Sequence, residues 1–290
     1  MMLIGVLLAL LAERLLGHLP RLGQPMLLER LVVGVQRALP LDDYWRSAAT
    51  PAVLLLGATA LAGLIGWWLH HPVLDLIYGA VVLFLCLGPR NLANDIQRLI
   101  EARESNDTQT ERTLTLSLLR GPERNASRRS LLGALFIQSH ESLFGVLLWF
   151  IAAGPAGAVL YRLASRMPRF LHESQPDTPA ERAAVFLHAA VAWIPVRLCA
   201  ALYGLAGSLD QAIEEFRRKI SDRSGNWRER SWALLAEVSA ASLSAEEGAE
   251  GVAIPARLED CLREVLSMQN RALLILLAAF GLFTAGGLSL

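Results

Sequence analysis

The sequence predicts an all-α protein, a polytopic bundle of membrane helices with helical cytoplasmic loops, treated as a single membrane domain over residues 1–290. Three observations predict it. Hydrophobic residues make up 53% of the chain, with a mean hydropathy of +0.39, and they gather into long uncharged blocks instead of spreading at the spacing of a water-soluble core. Basic residues concentrate between those blocks. Between the blocks, apolar residues recur at spacings of three and four, the pattern of one helix face. No β-alternation, internal repeat or low-complexity segment is present.

Crossing a hydrocarbon core of about 30 Å takes roughly 17 to 25 apolar residues in a helix. The first block, residues 1–16, is short for that and is expected to tilt, thin the bilayer or lie partly in the interface. No basic residue precedes it, and Glu13-Arg14 stand where a secretory signal would carry a small-residue cleavage site, so it is expected to be retained. Residues 51–70 and 72–89 form the next two blocks. The turn Trp67-Trp68-Leu69-His70-His71-Pro72 joins them into an expected helical hairpin, its tryptophans suited to an interfacial belt. Residues 143–163 and 183–207 are further spans, each expected to be broken by its proline, Pro155 or Pro195, and residues 272–290 form the last.

Orientation follows from the loops, because basic residues resist translocation. Residues 18–50, 90–142 and 207–271 hold 21 of the 27 basic residues and are expected to be cytoplasmic, with the tryptophan turn outside. The expected location is the bacterial inner membrane. Connection 164–182 fits poorly: alternation of ordinary spans, the favoured reading, puts it outside despite Arg166, Arg169 and Arg182. The alternative is a broken, partly re-entrant pair that returns to the cytoplasm. Within the loops, Leu92, Ile96, Leu99 and Ile100 mark a helical face in 91–120, and Leu209, Ile213, Phe216 and Ile220 mark another in 208–237. A break is expected at 248–255, before an amphipathic stretch over 256–268.

Several function classes are disfavoured. Lys and Arg balance Asp and Glu at 27 each, so the basic excess that a nucleic acid partner demands is missing. Lys219 is the one lysine and no GxxxxGK[ST] occurs, which argues against a Walker-type ATPase. Cys86, Cys199 and Cys261 are too far apart for a CxxC site and are expected to be inert thiols. His70-His71 lack further metal ligands besides Asp75. His140-Glu141 could serve as an acid/base pair, but neighbours on a helix point about 100° apart.

Two stretches carry chemistry. Gly154-Pro155-Ala156-Gly157-Ala158-Val159-Leu160-Tyr161-Arg162 combines small residues that allow close helix approach, a proline that frees a carbonyl, and an arginine at the boundary. Its bland reading is a kinked packing helix with Arg162 snorkelling to the interface. Ala192-Trp193-Ile194-Pro195-Val196-Arg197-Leu198 sets a second proline and arginine in an apolar run, where an uncompensated charge is expensive. Glu13, Arg14, Glu141, Arg162 and Arg197 are the candidate ligand-binding residues. They either line a cytoplasm-facing polar cavity or each reach the headgroups. Gly154, Pro155, Gly157, Tyr161, Trp193 and Pro195 are the candidate structural motif.

In order and spacing these stretches resemble the AmpE and CobD/CbiB superfamily, together with Leu11-Ala12-Glu13-Arg14-Leu15 and Glu141 ahead of Leu143-Phe144-Gly145-Val146-Leu147-Leu148-Trp149-Phe150. The resemblance spans most of the chain. Its synthase branch implies corrinoid amide formation, with a Gly-Arg-Asp-Thr-like stretch, an acidic Asn-containing stretch and a Leu-Asp-Asp. Here the corresponding residues are Arg120-Gly121-Pro122-Glu123-Arg124-Asn125, Phe136-Ile137-Gln138-Ser139-His140-Glu141-Ser142 and Leu187-His188-Ala189. The departures favour the AmpE branch, which implies an inner-membrane regulator or sensor in β-lactamase induction, linked in function to the amidase AmpD. The resemblance fixes no cofactor, although nucleotide binding is among the properties it implies, and it leaves the oligomeric state open. Membrane lipid and a cell-wall fragment or nucleotide are the expected partners. A divergent adenosylcobinamide-phosphate synthase and a small-anion or muropeptide transporter remain the alternatives.

Overall fold

The computed structural model describes residues 2–16, 34, 45–69, 71–87, 92–119, 128–221, 226–243 and 257–286. Among them every regular element is helical. The order is α1 (Met2–Leu16), α2 (Ala49–Trp68), α3 (Pro72–Leu87), α4 (Leu92–Glu104), α5 (Thr108–Leu118), α6 (Arg128–Ser139), a π-helical turn (His140–Phe144), α7 (Gly145–Ser174), α8 (Pro179–Ala206), α9 (Leu209–Ser221), α10 (Trp227–Ala241) and α11 (Leu258–Ala285). Most of the 18–50 loop, His70, Pro89, Arg90, the 120–125 stretch, the break at 248–255 and the last four residues lie outside the described residues.

Five helical stretches are long and apolar enough to cross a membrane, and Leu3–Glu13 is a shorter apolar helix. Their surfaces show what solvent they meet. Val53, Leu56, Leu61 and Leu64 of α2, with Leu74, Ile77 and Val81 of α3, are all at least half exposed, far more contiguous apolar surface than a water-soluble chain leaves open. Trp67 and Trp68 close α2 with 74% exposure each, as an interfacial belt requires. This is a multi-pass membrane protein.

One local expectation needs correction, the break at Pro195, and two others gain detail. Residues 92–118 form two helices, because Asn106 turns the chain at φ 56 and Asp107 then caps α5 by accepting from the Thr110 amide at 3.1 Å. Thr110 holds the Asp107 carboxyl below its usual value through these hydrogen bonds. The 256–268 stretch and the final span are one continuous helix, α11. Pro195 does not break its span, since α8 runs unbroken from Pro179 to Ala206 through it.

The described residues fall into two compact units, 1–90 with 141–195, and 91–140 with 196–290. In the first, α3 packs against α1 and α7, and α2 against α7. Small residues permit this: Gly5 lies under Leu76, Gly63 faces Ala156, and Gly79 lies against Phe150 and Pro155. Tyr78 donates from its hydroxyl to the Ala62 carbonyl at 2.7 Å, tying α3 to α2. Leu55, Ala164, Met167, Leu171, Ala180 and Ala184 form a buried core among α2, α7 and α8.

In the second unit the buried face of α4 is the expected one, with Leu92, Ile96, Leu99 and Ile100 inside. Ion pairs join its helices: Arg103 to Glu259 at 2.5 Å and to Glu111, Arg129 to Glu237 at 2.5 Å, and Lys219 to Glu237 at 2.6 Å. Inside, Gln138 donates to the Leu118 carbonyl at 2.7 Å, and Tyr203 to Ser139 at 3.0 Å. All three cysteines are buried and free, as expected of inert thiols.

Candidate functional site

The Gly-Pro stretch is neither a straight span nor a mild kink. Ala153 (φ −139, ψ 19) and Gly154 (φ 61, ψ −149) leave helical geometry, and Pro155 starts a new helical arm, a position where its missing N–H costs nothing. Gly157 packs so tightly on Trp149 that an added Cβ would stand 2.1 Å from the Trp149 carbonyl oxygen, and one on Gly145 would stand 2.2 Å from the Tyr161 ring. In a straight helix residues 145 and 161 would lie about 24 Å apart. The chain therefore reverses at Ala153-Gly154, and the arms before and after it lie side by side. The sequence-predicted span 143–163 is corrected accordingly: it straddles the reversal, and the second arm runs on from Pro155 to Ser174, about 30 Å by helical rise.

The reversal assembles a polar cluster in the first unit. Glu141 sits in the π-helical turn before the first arm, a local distortion often found at functional sites. Arg162, on the second arm, feels the charges of Arg166 and Glu141. Its Nη2 donates to the Leu87 carbonyl at 3.3 Å, where the C-terminus of α3 presents unsatisfied carbonyls and the negative end of the helix dipole. His188, buried in α8, lies in the field of Glu141 as well. Its ring meets Tyr161 edge-on, with centroids 6.3 Å apart. Trp149 donates from its indole to the Val191 carbonyl at 3.1 Å, locking the first arm to α8.

Of the sequence-derived candidates, Glu141 and Arg162 come together. Tyr161, Gly154, Pro155 and Gly157 build the reversal that places them. Arg197 belongs to the second unit, where Arg230 is its charged neighbour. Glu13 is half-buried on α1, and the Arg14 side chain lies outside the described residues. Trp193 is 44% exposed on the outside of α8, and Pro195 is buried. His188 and Arg166 were missed as site residues. Both carried a signal, a histidine and an arginine within membrane helices, where an ionisable group is costly to keep.

The arrangement offers a guanidinium pair beside one carboxylate and one imidazole, suited to holding an anionic or zwitterionic group. The family described as regulatory signalling modulator protein AmpE matches residues 1–288. The chain belongs to the AmpE family. Curated relatives carry another name: the cobalamin biosynthesis protein CobD of Chromobacterium violaceum is 30% identical over 69% of this chain and 67% of its own. CobD of Stutzerimonas stutzeri is 26% identical over 60% and 56%, and CobD of Brucella melitensis 25% over 76% and 72%. No solved structure matches. Membership of the AmpE family and likeness to CobD agree with the superfamily that the sequence motifs indicate.

Proposed function

We propose that this AmpE-family protein is an inner-membrane regulator in the response to β-lactam damage, contributing to β-lactamase induction. Its ligand is a small anionic molecule, a cell-wall fragment or a nucleotide, held by the Glu141, Arg162, Arg166 and His188 cluster. The observation that carries this reading is the match of residues 1–288 to the AmpE family, beside which the resemblance implies carboxylates in the synthase branch where this chain has Leu187-His188-Ala189. The cluster keeps binding groups and lacks the acidic set that the synthase signature supplies.

The likeness to CobD favours a second reading, a divergent corrinoid amide synthase. One experiment separates them. In a bacterium encoding this chain and an inducible β-lactamase, deletion is expected to change induction by a β-lactam severalfold. The wild-type chain should restore it and Glu141→Gln should not. Unchanged induction together with a corrinoid requirement would establish the synthase instead.

The reversal at Gly154 supports the first half of the re-entrant alternative for residues 164–182, whereas its second half, a break at Pro195, is not met by the continuous α8. It carries the second arm back toward the side from which the first arm came, and Arg166, Arg169 and Arg182 then obey the positive-inside rule. A Ser174→Cys variant in intact cells is expected to resist a membrane-impermeant maleimide and to react after permeabilisation. Labelling from the outside in intact cells would restore the ordinary-span topology.

A further inference from the structure

Helix α9 follows α8 after two residues, Gly207 and Ser208, and its position is fixed there. The Ser208 amide donates to the Ser242 carbonyl at 2.8 Å. Gly204 of α8 lies so near Ala212 that an added Cβ would come within 2.9 Å of the alanine methyl. Lys219 is bound to Glu237 of α10. Yet the apolar face of α9 has no protein cover among the described residues. Leu209, Ile213 and Ile220 are 46%, 41% and 61% exposed, and Phe216 is half-buried. At helical spacing these four occupy an arc of about 60°. Gln211, Glu214 and Arg218 take the opposite face, Arg217 flanks the apolar arc on one side and Lys219 on the other.

Two facts say what covers this face. The lipid-exposed stripe of α8 in the same unit, Leu198 at 48% and Leu205 at 56%, runs up to the turn, and Leu209 follows directly. The free basic flank at Arg217, exposed to solvent, is complementary to anionic headgroups, whereas a buried protein interface would desolvate it. A helix with a narrow apolar arc, basic flanks and an acid-containing outer face is built to lie in the membrane surface.

We propose that α9 is an interfacial helix that docks on the bilayer at the end of α8. Its Leu209, Ile213, Phe216 and Ile220 face reaches the acyl-chain boundary and Arg217 contacts anionic lipid headgroups. The helix thereby fixes the depth of α8 in the bilayer. The proposal is independent of the ligand cluster.

The test uses the full chain in lipid nanodiscs, with an environment-sensitive NBD label on Ile213→Cys, Ile220→Cys or Gln211→Cys. The unsubstituted chain, whose cysteines are buried, sets the background. Labels at 213 and at 220 are expected to be quenched by lipid-borne nitroxide roughly three times more strongly than the label at 211, which should respond to aqueous iodide. Adding phosphatidylglycerol to phosphatidylcholine discs should deepen the 213 and 220 labels, and Arg217→Glu should remove that increment, up to roughly fivefold in the docked-to-undocked ratio. Equal iodide quenching at 211, 213 and 220 would overturn the proposal. So would protection at 213 and 220 that disappears at one chain per disc, since the occupant would then be a second copy. Because 213 and 220 lie two turns apart, misfolding caused by one substitution does not decide the result.

Discussion

Gly157→Ala is expected to destabilise the protein by about 3 kcal/mol, the upper range for forcing a methyl into a packed interior. The new Cβ would stand 2.1 Å from the Trp149 carbonyl oxygen and 2.8 Å from its carbon. Those atoms are backbone inside the first arm, so no rotamer change relieves the clash and the arms must separate. Gly154→Ala should act at the same place by another route, costing about 1 to 3 kcal/mol, because φ 61 with ψ −149 is a region that essentially only glycine occupies. Gly57→Ala provides the control: nothing lies within 4 Å of its added Cβ, and alanine is the better helix former. Unfolding in mild detergent, followed by tryptophan fluorescence, should show lowered midpoints for the 157 and 154 variants and an unchanged or raised one for Gly57→Ala. If Gly157→Ala behaved like Gly57→Ala, the two arms would not be apposed.

Arg162→Leu is expected to lose about 1 to 3 kcal/mol, the usual consequence of taking a charged donor away from a carbonyl inside the protein. The leucine fills the space but leaves Glu141 without that guanidinium and the Leu87 carbonyl without its donor. Adding Glu141→Gln to Arg162→Leu should recover part of the loss, with a coupling of roughly 1 to 2 kcal/mol in a double-mutant cycle. Arg162→Lys should fall between, keeping the charge without the planar guanidinium that reaches the Leu87 carbonyl. A cycle with zero coupling would mean that Arg162 serves α3 alone, as a cap, and that Glu141 faces something else. In the induction assay, Glu141→Gln is the more telling variant, because it changes a charge with almost no change of shape.

Much of the fold was legible from the chain. Spans at α2, α3 and α11, the tryptophan turn and the buried stripe Leu92, Ile96, Leu99, Ile100 all follow from local periodicity and from the length of apolar runs. The errors fall where local signals are degenerate. A glycine-proline pair is compatible with a kink, a broken span or a full reversal, and nothing within five residues of Gly154 chooses among them. Pro195 looked like the same signal but is accommodated in a continuous α8. The face Leu209, Ile213, Phe216, Ile220 was correctly placed on one side of a helix, but periodicity does not say whether protein or lipid meets it. Within the cluster, Glu141 and Arg162 were picked for being ionisable near membrane depth, whereas His188 was noted only as a departure from the synthase pattern.

By itself the sequence determined that the chain is helical, that lipid surrounds its uncharged blocks, and which superfamily it resembles, since each rests on residue type, run length or ordered motifs. Only the tertiary structure decided that Gly145 meets Tyr161 and Gly157 meets Trp149, and so that Glu141, Arg162 and His188 belong to one cluster. The physical reason is that a left-handed glycine is chosen by the contacts it makes available: two arms must pack before the backbone state at Gly154 becomes the favourable one, and those contacts join residues 8 to 16 apart that a straight helix would hold far from one another.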